Sequence, residues 1–321
     1  MNSTISNISL DCLLSLDFSH YNILSLPNSV QQTWISLAVI NGIAAPPTVL
    51  INLLVIWTVL EDENLRSSTY NLLLTSLAVM DFLIGLIVQP VFAWVLGCQI
   101  RECSYECQLN TIFGLAGIMC GFMWLANLMM SSVERYLAIE HPYFYRAKVT
   151  TKKMMIATSI VCLSLPMTVV LARVLADKAG ILREIPSLLG ATGCATVILF
   201  CTAKVQFTAR RQRRVVDIQH VAVQQEDVVQ QEEQRKRLQE YKQCFTMALL
   251  VITTVLFYCP GIVSGIIQAA KGKEVTDDFQ YIAFPIFVTF IHLQSLVNPL
   301  IMSLRLSYIR KGVKKKLFFW R

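Results

Sequence analysis

The 321-residue chain is expected to fold as an all-α membrane protein, a bundle of seven transmembrane helices followed by a short amphipathic C-terminal helix. Three observations lead there. Hydrophobic residues make up 55% of the chain and charged residues 15%, with a mean hydropathy of +0.53. A water-soluble domain carries about 25% charged residues, so composition argues against an ordinary soluble enzyme, and its hydrophobicity argues against disorder. Apolar runs of the length that crosses a bilayer as helix, about 20 residues, occur seven times. Lysine and arginine are also strongly biased to the connectors on one side of those runs.

The runs are Trp34–Leu60, Thr69–Leu96, Asn110–Leu137, Met154–Leu175, Ile185–Phe207, Tyr241–Ala270 and Gln280–Leu304. Their connectors are short and polar except Arg210–Glu240, whose Gln, Glu and Arg with spaced Val215, Val221 and Val228 predicts helical extensions of spans five and six into water. No internal repeat or second domain is visible. The organisation is therefore a tail over residues 1–33, a membrane bundle over 34–304 and an amphipathic helix over 305–321.

The tail has no Lys or Arg, and the connectors on its side carry Arg101, Arg173, Lys178, Arg183, Lys271 and Lys273; the other 22 of 28 lie opposite. Basic residues stay on the cytoplasmic side, so the N-terminus is expected outside and the C-terminus inside. The acidic first inner loop, Glu61–Ser67, is a local exception. The +7 net charge is thus a topology signal, and anionic lipid or a cytosolic partner suits it better than nucleic acid. The sequons at Asn2 and Asn7 fit glycosylation of an outer tail. No basic-then-apolar signal peptide precedes them, so span one is expected to direct its own insertion.

Of ten cysteines, Cys120, Cys162, Cys194, Cys201, Cys244 and Cys259 fall in spans as small buried thiols. Cys12, Cys98, Cys103 and Cys107 fall on the oxidising side, where two disulfides in three possible pairings are available. One bridge within the loop between spans two and three, with Cys12 tying the tail to it, is one arrangement.

Ionisable and amide side chains are costly in lipid and mark function. Asn52 lies in span one and Asp81 in span two, within Leu77-Ala78-Val79-Met80-Asp81. Glu134-Arg135-Tyr136 closes span three, Pro260 interrupts span six within Phe257-Tyr258-Cys259-Pro260, and Asn298-Pro299 lies late in span seven. In order and depth these resemble the rhodopsin-like (class A) G protein-coupled receptors over about residues 34–320. The short outer loops and Glu-Arg-Tyr-Leu-Ala-Ile followed by His-Pro-Tyr lean towards the group holding melanocortin, adenosine and cannabinoid receptors, a look shared with cnidarian orphan receptors. The chain departs from the family where Tyr258 replaces the helix-six Trp and Met302 the Tyr ending the helix-seven motif. Span four has no Trp, span five no mid-helix Pro, and Asn110 stands where the family's helix-three cysteine falls, with no cysteine partner in Ala176–Glu184.

The resemblance implies a receptor that transmits binding of an extracellular ligand to a heterotrimeric G protein. It makes Arg135 the contact for the Gα tail helix, paired at rest with Glu240 twenty residues before Pro260, and makes Pro260 the hinge. The rival role for Arg135 is snorkelling to lipid heads. The resemblance also implies a sodium ion at Asp81, but Trp124 stands where the family often has Ser and fills that space; a hydrogen-bonded Asp81 is the alternative. The ligand belongs in the outer half among spans three, five, six and seven, with Asn110, Gly117, Gly121, Gly261, Gly265, Gln268 and His292 as candidate contacts and Gln89 and Gln280 at the rim. The glycines mark either close helix packing or room for a ligand. Gly117 stands where amine receptors carry Asp, which favours a small neutral or lipid-like ligand. His292 is set either for the ligand or for a hydrogen bond to Asn41.

Leu306, Ile309, Val313 and Leu317 among Arg310, Lys311, Lys314 and Lys315 predict a helix lying on the inner leaflet. It lacks cysteine and is poor in Ser and Thr, so weak arrestin recruitment is expected. No catalytic set, metal cluster or nucleotide fingerprint is placed usefully, so neither an enzyme nor a cofactor is expected. A seven-helix receptor that does not signal is the nearer rival and a small transporter or channel the further one.

Overall fold

The computed structural model describes residues 27–101, 106–175, 185–222, 228–271 and 277–317. Its helices are α1 (Asn28–Glu61), α2 (Glu63–Arg66), α3 (Thr69–Leu83), α4 (Gln89–Arg101), α5 (Glu106–Glu140), α6 (Pro142–Lys148), α7 (Thr151–Leu175), α8 (Ile185–Ala222), α9 (Val228–Lys271), α10 (Asp277–Arg305) and α11 (Ser307–Leu317). Among the described residues seven stretches are long and apolar enough to cross a membrane, with α3 and α4 forming one of them. All seven overrun at least one expected end, because nothing stops a helix at the hydrocarbon boundary. The runs of α8 to Ala222 and α9 from Val228 match the expected extensions of spans five and six.

In hydrocarbon every backbone N–H and C=O must be satisfied within the protein, which is why the spans are helical. Many of their hydroxyls obey the same rule by bonding back one turn, although those of Thr58, Ser187, Thr202 and Ser303 have no hydrogen-bond partner. Thr48 donates to the Ala44 carbonyl at 2.7 Å, Thr75 to Asn71 at 2.8 Å and Ser131 to Asn127 at 2.8 Å. A single π-helical turn, Ile84–Val88, joins α3 to α4. Here a Cβ on Gly85 would fall 2.9 Å from Thr48 Cγ2, so α1 and the turn approach more closely than a side chain allows.

Two apolar clusters hold the bundle. The inner one joins Tyr70, Leu74, Leu77, Trp124, Leu128, Met247, Leu250, Met302 and Leu306; the outer one joins Trp34, Phe92, Leu96, Phe113 and Val288. Met302, where the resemblance has Tyr, is fully buried. Spans four and five turn large apolar residues outward, among them Ile160, Leu163, Leu188 and Phe207, which suits contact with lipid. Of the apolar edge expected on the C-terminal helix, Leu306, Ile309 and Val313 are buried against the bundle and Leu317 is exposed. α11 is thus docked on α1 as well as amphipathic: a Cβ on Gly312 would run into Thr58, and Lys316 pairs with Glu61 and lies over the Trp57 ring at 4.0 Å.

Asn2, Asn7, Cys12 and Cys103 lie outside the described residues, as does the side chain of Cys107. Cys98 is buried near the outer end of α4.

Candidate functional site

At the inner end of α5, Glu134 and Arg135 are both buried, a costly placement unless each charge is met. Arg135 Nε donates to Glu134 Oε2 at 2.5 Å and its Nη2 pairs with Oε1, a bidentate grip within one helix. The Tyr145 hydroxyl of α6 donates to Glu134 Oε1 at 2.5 Å. Burial and the adjacent Glu134 carboxylate push the Tyr145 phenol up to about 12, so it remains a donor at physiological pH. The other face of the guanidinium reaches α9, where Nη1 donates to Gln243 Oε1 at 2.7 Å, and it lies 4.6 Å above the Tyr70 ring. Tyr70 Oη donates to the Gln243 carbonyl at 3.2 Å. Tyr136 is half-buried against His141 and Phe200.

The expected partner Glu240 is therefore replaced by Gln243. Glu240 is exposed because α9 has already left the bundle there, where Leu238 is 55% exposed. One turn deeper, Gln243 shares the inward face with Met247 and Leu250. The resting link from Arg135 to α9 is thus a charge-to-amide hydrogen bond.

Midway along the bundle Asn52, Asp81 and Asn298 are fully buried. Asn298 Nδ2 donates to Asp81 Oδ2 at 2.9 Å, and Asn52 Nδ2 donates to the carbonyls of Thr48 and Ser295. Ser295 and Trp124 lie against the same Asp81 carboxylate. The Asn298 amide N–H is a donor without a lone pair for a cation, and the buried Trp124 ring lies beside the carboxylate with its indole N–H unpartnered. Asn298 gives Asp81 the hydrogen bond of the alternative reading, while Asp81 Oδ1, Asn52 Oδ1 and Asn298 Oδ1 are buried without a hydrogen-bond partner.

In the outer half, His292 is buried. Its Nδ1 meets Asn41 Oδ1 at 2.8 Å, while Asn41 Nδ2 donates to Thr289 Oγ1 at 2.9 Å and to the Leu37 carbonyl at 2.8 Å. With both amide hydrogens of Asn41 committed, His292 Nδ1 carries the proton. Phe92 and Phe113 present their rings edge-to-face to the imidazole at 5.3 and 6.3 Å. Of the two roles expected for His292, the hydrogen bond to Asn41 is present and ties spans one and seven. Gln89, expected at the rim, is fully buried with Nε2 donating to the His292 carbonyl at 3.2 Å.

The glycines divide. Gly117 and Gly121 of α5 have open space where a Cβ would sit, whereas a Cβ on Gly261 would collide with the Phe287 ring, which Tyr258 meets edge-on at 5.9 Å. Asn110 is buried and its Oδ1 has no hydrogen-bond partner. Pro260 and Pro299 lie inside α9 and α10. The surroundings of Gly265 and Gln268 lie outside the described residues, as does the side chain of Gln280.

Sequence reasoning missed Tyr70, Asn71, Tyr145, Gln243 and Tyr308. Gln243 carried a usable signal, a lone amide in helical register with Met247 and Leu250; the rest sit at boundaries where register with the bundle is not readable.

Among known proteins the chain is similar to trace amine-associated receptor 7f of Mus musculus, 26% identical over 297 residues that cover 85% of this chain and 79% of that receptor. It is also similar to trace amine-associated receptor 9 of Rattus norvegicus, 27% identical over 300 residues that cover 85% of this chain and 84% of that receptor. These relatives lie outside the melanocortin, adenosine and cannabinoid group to which the inner-loop wording leaned; motifs of three to six residues, common to the whole family, do not resolve such branches. Residues 51–302 match the family of 7 transmembrane receptors (rhodopsin family), and the chain belongs to that family.

Proposed function

We propose that this G protein-coupled receptor of the plasma membrane converts occupancy of its outer half by a small neutral or lipid-like ligand into release of Arg135 towards a heterotrimeric G protein. The observation that carries the reading is the Arg135 guanidinium, buried at the inner end and joined to α9 by a 2.7 Å hydrogen bond from Nη1 to Gln243 Oε1. A hydrogen bond to a charged group is worth about 1.5–3 kcal/mol, within reach of a ligand's differential affinity for two states. Outward movement of α9 about Pro260 breaks that link and opens the inner face.

The relatives' names speak of amines, but Gly117 offers no counter-ion on span three, and the buried carboxylates among the described residues are Asp81 at mid-bundle and Glu134 at the inner end. That supports a ligand without a permanent cation. The placement of basic residues supports an outer N-terminus and an inner C-terminus, with Arg310, Lys311, Lys314 and Lys315 exposed on α11 towards anionic lipid. Weak arrestin recruitment belongs to the same reading.

G-protein activation in cells tests it. Arg135→Ala is expected to abolish coupling at normal surface expression, and Gln243→Ala to raise basal activity on the order of tenfold. Retained coupling in the first variant would remove the mechanism. A second reading, a receptor that binds without signalling, is favoured by the buried Met302 and by Tyr258 in place of Trp; an inert wild type over all Gα classes would select it.

A further inference from the structure

Tyr308 belongs to the C-terminal helix, yet its hydroxyl points into the bundle and donates to Asn71 Oδ1 of α3 at 2.7 Å. The Asn71 amide is itself oriented, with Nδ2 donating to the Leu65 carbonyl at 3.2 Å. The Gln243 side chain lies beside the same phenol. Gln243 Oε1 is taken by Arg135, so its Nε2 is the group left to donate, and a phenol oxygen that has given its own hydrogen to Asn71 can accept. Burial pushes the Tyr308 phenol up to about 12, which keeps that hydrogen in place. The base of Tyr308 is fixed as well: Ile309 and Val313 are buried, Gly312 abuts Thr58, and Lys316 pairs with Glu61. Both ends of the side chain are therefore anchored to parts of the molecule other than α9.

We infer that Tyr308 is a positioning residue of the resting switch, through which the docked C-terminal helix aims the Gln243 side chain at Arg135 and holds α9 inward. The inference rests on the switch proposed above and adds its regulation: whatever unseats α11 from α1 loosens the grip on α9, with no change at Arg135 or in the ligand site. Met302 supplies no phenol from α10, and Tyr308, six residues further on, brings one from outside the spans.

The test uses the full-length receptor in nanodiscs with purified G protein and no ligand. Tyr308→Phe removes one oxygen and keeps the ring, so packing is preserved. It is expected to raise basal nucleotide exchange about three- to tenfold, the population shift that matches loss of one ordinary hydrogen bond. Asn71→Ala should raise it comparably, and the double variant should not exceed the larger single effect. A spin-label pair at Lys242 and Lys152, both exposed at the inner end, should show a larger outward fraction in Tyr308→Phe with thermal stability unchanged. A purely structural phenol would instead lower stability and leave exchange and label distance where they were, and that result overturns the inference. Arg135→Ala run in parallel separates the two levels. If it still couples, the switch itself fails; if it is silent while Tyr308→Phe behaves as wild type, Tyr308 alone is misassigned.

Discussion

Two halves of the bundle are held by different means. Spans one, two and seven are stitched across the membrane by buried polar contacts: Trp34 Nε1 to the Tyr281 carbonyl at 2.9 Å, Asn41 to Thr289 and His292, Gln89 to the His292 carbonyl, Asn52 to the Ser295 carbonyl, and Asn298 to Asp81. Span six is tied near its inner end, to α5 through Gln243 and to α8 through Gln206 Nε2 and the Cys244 carbonyl, and higher up to α10 through Gln294 and Thr254. On span three, Gly117 and Gly121 have open space where a Cβ would sit. In a medium that offers no competing hydrogen bonds, contacts distributed over the full depth make a frame, whereas the polar contacts of span six among the described residues run from its inner end to Thr254, short of Pro260. The contrast suits the movement of α9 proposed above, in which the fold is kept while one helix swings.

Damage to the frame should produce the largest effect. His292→Leu removes the donor to Asn41 Oδ1 and leaves that oxygen buried without its partner, which costs about 1–3 kcal/mol before any loss of packing against Phe92 and Phe113. Thermal unfolding in detergent should show a clear drop and surface expression should fall, while signalling per folded receptor stays near wild type. Loss of signalling without loss of stability would mean that His292 faces the ligand after all.

Much of the frame is legible in the amino-acid sequence, and the part that is not has a physical cause. The seven spans follow from bilayer thickness acting on runs such as Met154–Leu175, a constraint independent of tertiary detail. Asp81, Arg135 and Asn298 stand out by their cost in lipid. The Asn41–His292 contact is foreseeable because two amphoteric groups at matching depth have little else to bond. The choice of Gln243 over Glu240 is not, since it depends on where α9 departs from its neighbours, a packing property spread over many residues. Nor is the π-helical turn at Ile84–Val88, where the backbone follows the close approach of Gly85 to Thr48. The glycine stripe is instructive in the same way: Gly117 and Gly261 look alike in sequence and meet opposite surroundings.

The glycines sharpen the comparison with a smaller effect. Gly261→Leu drives a side chain into Phe287 and should destabilise by about 1–3 kcal/mol, as overpacking does. A Cβ on Gly117 meets nothing within 4 Å, so Gly117→Leu should leave thermal stability within error while abolishing the response to any ligand that binds against this face of span three. Equal destabilisation by the two would return Gly117 to the role of a packing contact and move the ligand site elsewhere.

The smallest expected effect lies where frame and pivot adjoin, at Asp81. Asn298, Ser295 and Trp124 surround its carboxylate, and the buried indole takes up volume beside it. Exchange of sodium chloride for choline chloride at fixed ionic strength should therefore leave both the unfolding temperature and basal nucleotide exchange unchanged. Trp124→Ser replaces a donor without a lone pair by a hydroxyl that has two and opens the volume beside Asp81. That variant should be less stable than wild type in choline, from the cavity alone, and should recover part of the loss in sodium. A sodium-dependent rise in the wild type would show that the indole moves aside and that the centre of the bundle is more yielding than its close packing implies. Sodium independence in both proteins would show that Asp81 lacks the companion oxygens a cation needs even when space is provided, and that the frame reaches through the midplane on hydrogen bonds alone.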